Sequence, residues 1–336
     1  MQLDTLRERL RAQGAREEHV RRVLRDWVLG RSRDAGRRRA ADYLPQSLRS
    51  ALPALDTDLA AMATVASTHP GADGSMRLLV RLADGQSVES VLLPREGVCV
   101  SSQVGCAVGC RFCMTGRSGL LRQVTSGEIV AQVVLARALR PVRKVVFMGM
   151  GEPAHNLANV LDAIDLLGTE GNIPHKNLVF SSVGDPRLPE RLLAGAVKPA
   201  LALSLHTTRA DLRADLLPNA PRLTPREIVE MGEDYARRTG YPIQYQWTLI
   251  EGVNDGEDEL AAVEELLRGK YAVLNMIPYN SIPDLPYRRP SWEAARAIAA
   301  RLTARGILTK LRDSAGQDVD AGCGQLRARI LLKQVA

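Results

Sequence analysis

The sequence predicts an α/β protein: a partial barrel of six βα units, preceded by a small helical domain and a linking β-hairpin. Three observations carry this. Beyond residue 97, short apolar runs of strand length alternate with longer helical stretches, the pattern of a parallel sheet with right-handed crossovers. Just before that, MRLLVRLADGQSVESVLLP alternates apolar and polar residues on both sides of Asp84-Gly85, which reads as a hairpin over about 76–93. Residues 1–65 instead space their apolar side chains three and four apart. At 336 residues and 45% hydrophobic, the chain can bury a sizeable core.

The helical domain is expected over 1–68, from LRERLRAQG, HVRRVLRDWVLG and LPQSLRSAL, punctuated by Gly14, Gly30 and Pro45. The hairpin linker takes 69–97 and the barrel with its C-terminal segment 98–336. The barrel strands are CVSSQ (99–103), KVVFMG (144–149), NLVFSS (177–182), ALALSLH (200–206), IQYQWTLI (243–250) and AVLNMIP (272–278), with a weaker seventh in ILTKLR (307–312). Thr125 with Glu128, and Thr224-Pro225 with Glu227, mark two helix starts. In such barrels the chemistry gathers at the C-terminal ends of the strands.

Composition narrows the class. Charged residues are 25% of the chain, and no run of eighteen apolar residues exists, so neither a disordered chain nor a spanning helix is expected. MQLDTLRERLRAQG lacks the apolar core of a secretory signal, which makes the cytoplasm the expected location. Of the net charge of +7, residues 1–50 carry +6, with thirteen Arg against seven acids. A basic face at one end suggests a polyanion such as nucleic acid, and an Arg-rich solvated surface explains it equally. The arginines of GRSRDAGRRR (30–39) are the candidate phosphate contacts. Trp27, Trp247, Trp292 and Tyr279 are the few candidates for base stacking, although core packing is the commoner fate of each.

Four of the five cysteines fall within fifteen residues: Cys99, Cys106, Cys110 and Cys113, with Cys323 far downstream. Such clustering in a long chain points to metal or redox chemistry rather than a disulfide framework. Cys106-x-x-x-Cys110-x-x-Cys113 offers three thiolates to a [4Fe–4S] cluster and leaves the fourth iron open. An open iron can chelate the amino and carboxylate groups of S-adenosylmethionine (SAM), whose reductive cleavage yields a 5′-deoxyadenosyl radical. The competing reading is zinc, completed by Cys99, but no second Cys-x-x-Cys knuckle is present. Further polar motifs end successive strands: GMGEP (149–153), SSVG (181–184), SLH (204–206) and PYN (278–280).

CVSSQVGCAVGCRFC, FMGMGEP, SLH, VNDG, IPYN and DVDAGCGQL stand in the order seen in the RlmN/Cfr family of radical SAM methyltransferases, which the chain resembles over about residues 75–330. Gly151-Glu152-Pro153 leans toward its RlmN side. The chain departs from the family pattern at Ala321-Gly322-Cys323 and at Leu120 or Leu121, where an aromatic residue is common.

The resemblance implies methylation of adenine in RNA. The carbon is C2 for RlmN-type enzymes, acting on the peptidyl-transferase centre of 23S ribosomal RNA and on an anticodon-loop adenosine of tRNA; it is C8 for the Cfr type. An electron-poor ring carbon is a poor nucleophile, so a carbon radical must add to it. By resemblance Cys323 is the S-methylcysteine intermediate, taking its methyl from one of two SAM molecules used per turnover. Cys99 is the resolving thiol that ends in a transient disulfide with Cys323, and Glu89 is the proton acceptor. Gly151, Glu152, Ser181, Ser204, Leu205, His206 and Asn280 are the SAM contacts; Cys106, Cys110 and Cys113 hold the cluster. A flavodoxin-like electron donor and a monomeric enzyme with no membrane partner complete the expectation. Radical SAM chemistry on a small molecule is the alternative from another class, and the basic N-terminus argues against it.

Overall fold

The computed structural model describes residues 1–34 and 39–327. Four helices come first: α1 (Leu3–Ala12), α2 (Glu17–Val28), α3 (Ala40–Tyr43) and α4 (Gln46–Ala61). A ten-stranded sheet follows. Its parallel part is β4 (Gly97–Cys99), β7 (Lys144–Phe147), β8 (Leu178–Ser182), β9 (Ala200–Ser204), β10 (Ile243–Leu249), β11 (Ala272–Pro278) and β12 (Thr309–Leu311), neighbours in that order. The crossovers carry α5 (Ser126–Leu139), α6 (Leu157–Thr169), α7 (Leu188–Ala194), α8 (Ala210–Leu216), α9 (Pro225–Thr239), α10 (Glu257–Leu267) and α11 (Trp292–Ala304). This is the α/β fold expected, with the weak seventh strand in place beside β11.

Three details differ from the expectation. The hairpin is an antiparallel extension of the barrel sheet itself: β1 (Ala63–Pro70), β2 (Met76–Leu82) and β3 (Ser87–Leu93) continue it through β4. Helical structure accordingly ends at Ala61, before the limit of 68, because ATVASTHP alternates buried and exposed residues as an outer strand does. Finally, the CVSSQ run is broken. Ser101 and Ser102 turn away from the sheet, Ser101 Oγ donating to the Glu89 carbonyl, and Gln103–Gly105 pairs as β5 with β6 (Leu120–Gln123) in a separate small sheet.

Both predicted helix starts are present, and both are capping boxes, Thr125 with Glu128 on α5 and Thr224 with Glu227 on α9. Helix α5 is buried on nearly all faces, because the N-terminal helices cover its outer side. Arg137 donates to the Val28 carbonyl at 2.8 Å, and the Leu3 N–H to Ser126 Oγ at 2.9 Å. Two N-terminal arginines, Arg21 and Arg25, converge on Glu170, which is only 4% exposed at the end of α6. Arg7, Arg9 and Arg33 likewise pair with Asp162, Asp58 and Asp56. Much of the basic excess of residues 1–50 therefore serves docking and local pairing. Of the candidate phosphate contacts, Arg31 and Arg39 are exposed, Arg33 is paired, and Arg37 and Arg38 lie outside the described residues. No described helix is long and apolar enough to cross a membrane.

Candidate active site

The strand ends meet at one cavity of about 160 Å3. The three clustered cysteines reach it from the loop after β5. Gly105 starts that loop at φ +80°, and a Cβ there would lie 2.0 Å from the Gly119 carbonyl, so only glycine lets the two backbones pass. Helix α8 and the turn after it hold the loop from below. The Arg111 N–H donates to the Leu216 carbonyl at 3.0 Å, and Asn219 Nδ2 to the Ala107 carbonyl at 2.9 Å. Cys106, Cys110 and Cys113 all line the cavity. Burial pushes the Cys106 thiol up to about 12, and Cys110 is also raised, by burial first and then by Cys113 and Cys106. The three sulfurs thus lie within one another's fields.

Gly151 and Glu152, from the turn after β7, and Ser181, Ser204 and His206, from the ends of β8 and β9, form the facing wall. Glu152 accepts from the Val183 N–H at 2.9 Å and from the Ala154 N–H at 3.0 Å. Burial nonetheless lifts its carboxyl to about 7. His206 has a left-handed backbone, φ +64°. Its Nδ1 accepts from the Thr248 N–H at 3.0 Å, so the neutral ring carries its proton on Nε2. Burial, aided by the Arg213 charge, lowers its pKa to about 3.

Two of the expected SAM contacts stand elsewhere. Leu205 is fully buried in the core, so what it can offer the cavity is backbone. Asn280 Nδ2 is spent on Ser314 Oγ at 2.8 Å and on the Cys323 carbonyl at 2.9 Å, which makes it a strut for the Cys323 loop. Cys323 itself lines the cavity mouth and is exposed there, with Cys113 and Cys99 both near enough to matter electrostatically. Solvent reaches it through the mouth while protein surrounds it, and that burial raises its thiol. Cys99 lies behind, in β4, where burial first and the Cys323 sulfur second push its thiol up to about 12.

Glu89 does not line the cavity. It is fully buried in β3, ion-paired with Arg77 of β2 and accepting from the Arg327 N–H at 2.9 Å. Arg77 Nε in turn donates to the Val319 carbonyl at 2.6 Å. The hairpin pair thus grips the Cys323 segment on both sides.

Gln246 and Thr248 of β10 also line the cavity and escaped the sequence reading. Their position at the C-terminal end of a parallel strand was the available signal. Tyr279 lines it too, 1% exposed and with its hydroxyl unpaired, which leaves a buried polar atom for a ligand to satisfy. Trp247 is fully buried in the core and unavailable for base stacking; Trp27 packs half-buried against the core, and Trp292 is exposed at the start of α11.

Residues 100–263 match the family model of the radical SAM superfamily. A probable RNA methyltransferase of Leptothrix cholodnii is 70% identical over 331 residues, covering 98% of this chain and 95% of that protein. One of Azoarcus sp. is 68% identical over the same length and shares. The crystal structure of a radical SAM methyltransferase from Sphaerobacter thermophilus superposes with a TM-score of 0.84 at 37% identity, covering 98% of both chains. This chain belongs to the radical SAM methyltransferases. Streptococcus suis SuiB bound to S-adenosylmethionine, at 11% identity and a TM-score of 0.50 over 65% of this chain, shares the fold alone.

The residues of this radical SAM methyltransferase fit the cofactors its superfamily implies. Among the described residues no three His, Cys, Asp or Glu groups gather closely enough to hold a single metal ion. A cluster asks for a wider set, one cysteine to each of three irons. Cys106, Cys110 and Cys113 would hold it, with the polar wall of Glu152, Ser181, Ser204 and His206 facing SAM.

Proposed function

We propose that this enzyme adds a methyl group to C2 of an adenine in RNA, with Cys323 as the methyl carrier. The target class is the peptidyl-transferase-centre adenosine of 23S ribosomal RNA and an anticodon-loop adenosine of tRNA. The observation that carries the reading is the place of Cys323: at the mouth of the cysteine-lined cavity, its sulfur acting on that of Cys99 behind it. Its relatives' names, probable RNA methyltransferases, support the substrate class.

When bound, the cluster and two SAM molecules supply the methyl group and the radical chemistry that an electron-poor ring carbon demands. The chain supplies the rest. Cys323, exposed on a loop flanked by Gly322 and Gly324, is accessible enough to accept a methyl group on sulfur and to meet the base. Burial raises the Cys323 thiol, and Ser314 beside it works against that rise. Cys99 is kept protonated by burial, which holds it in reserve until the linked product must be released. Its sulfur then bonds that of Cys323 as the bond from Cys323 to the base breaks; the released carbon takes up a proton to become the methyl group, and a disulfide is left. Glu89 takes the ring proton once the segment bonded to its carboxylate has moved. The adenine enters unstacked from its RNA. A flavodoxin-type donor delivers electrons to a monomeric enzyme.

Nucleoside mass spectrometry tests this. The reconstituted enzyme is incubated with SAM, reductant and unmodified ribosomal RNA or tRNA, and 2-methyladenosine is the expected product. 8-Methyladenosine would move the activity to the other carbon. 5′-Deoxyadenosine without methylated RNA would refute the substrate. Cys323→Ala must abolish methylation; activity surviving that change would end the carrier role.

A further inference from the structure

The reaction outlined above leaves one buried charge without a task. Arg213, in the middle of α8, is 3% exposed. Its Nη2 donates to the Ser204 carbonyl at 3.0 Å and to the Val183 carbonyl, bracketing the ends of β8 and β9. Its Nε is buried and has no partner. Among the described residues no carboxylate forms an ion pair with it. The anionic groups whose charge reaches it are Cys110 and Glu152, and Glu152 is engaged with backbone N–H groups. A guanidinium buried without a counter-ion is costly, and a negative charge brought beside it offsets that cost.

The surroundings say which charge that is. Helix α8 is tied to the cysteine loop at three points: Arg111 N–H to the Leu216 carbonyl, Arg111 Nε to the Asp215 carbonyl, and the Arg111–Asp215 ion pair. Arg213 is therefore on the helix that anchors the loop presenting Cys106, Cys110 and Cys113. In the cluster-bound protein those three become thiolates, in the same cavity that Val183 and Ser204 line, whose carbonyls Arg213 holds.

We propose that Arg213 is the built-in counter-charge of the iron–sulfur cluster, raising the potential at which the cluster accepts an electron. Reduction adds one negative charge to the cluster, so a fixed cation nearby favours the reduced form. The inference rests on the cluster reading of the three cysteines and is independent of the RNA target.

The test uses the full chain, reconstituted anaerobically with iron and sulfide, without RNA or SAM. Iron content and the visible spectrum establish loading, and a redox titration followed by electron paramagnetic resonance gives the midpoint. In Arg213→Met, the oxidised-to-reduced ratio at a fixed potential is expected to rise about tenfold, or ~59 mV for a one-electron couple. Arg213→Lys keeps the charge while losing the two-carbonyl bracket, and is expected to titrate near wild type. A Met variant with the wild-type midpoint overturns the proposal. So does a Lys variant displaced as far as the Met one, since that outcome assigns Arg213 to the bracket alone. If the Met chain fails to fold, Arg213→Gln replaces it against the same Lys control. Wild-type protein that loads zinc and no cluster would overturn the cluster reading together with this one.

Discussion

His206 shows how the site constrains a single residue. A non-glycine side chain at φ +64° is strained, and it persists because its surroundings over-determine it. Asn254 Nδ2 holds its carbonyl at 2.6 Å, Thr248 holds its Nδ1, and Phe112 meets its ring edge-on at a centroid distance of 4.9 Å. The pH consequence has a definite sign. The folded imidazole titrates near 3 and the unfolded one near 6.5, so its contribution to stability is whole above 6.5 and is lost as pH falls toward 3. Between pH 6.5 and pH 5 this group alone is expected to cost the apoprotein roughly 2 kcal/mol. Urea unfolding of wild type and His206→Gln at pH 7 and pH 5 checks it, with a smaller loss in the variant. Equal losses would mean the ring is not held neutral. SLH marked the residue in the sequence, but the strain and the tautomer arise from Asn254 and Thr248, which no local pattern connects to it. Arg213 was still less legible: in ADLRADL it reads as an ordinary helix arginine.

Among the elements, the loop and small sheet that carry the cysteines leave least room for change. Gly105 passes so close to the Gly119 carbonyl that any side chain must push β5 from β6. Gly105→Ala is expected to give a folded barrel that binds several-fold less iron, because β5 and β6 lie outside the ten-stranded sheet. Iron analysis beside a far-ultraviolet circular dichroism spectrum checks this, and full iron loading would refute it. The parallel strands were legible because each is a short apolar run closed by polar or glycine residues. β1 was not, since Thr64, Thr68 and Pro70 on its outward side and the half-buried Ser67 and His69 give a polar segment that resembles a loop. Nor could the break of CVSSQ be read. It depends on Gln132 of α5, which donates to the Ser101 carbonyl at 2.9 Å and accepts from the Ser101 N–H and the Ser90 hydroxyl.

At the scale of the molecule, the N-terminal helices and the barrel are joined through buried polar contacts as well as apolar packing. Glu170 is 4% exposed and meets two arginines that are half-exposed, so the acid bears the desolvation. Replacing both Arg21 and Arg25 by Ala strands a buried carboxylate and is expected to lower the unfolding midpoint. Adding Glu170→Gln should recover part of that loss; chemical denaturation of the three chains reads the difference, and a double variant as stable as wild type would dismiss the role. The sequence placed the excess charge in residues 1–50 but could not disclose its partners, which come from α4 and α6. A longer stretch of sequence separates the Arg77–Glu89 pair from the segment it grips, 242 residues between Arg77 and Val319 and 238 between Glu89 and Arg327. Contacts this remote form late, after nearly all of the chain is available to fold. During synthesis, then, the cavity wall and its cysteines can be assembled while Cys323 is still inside the ribosome.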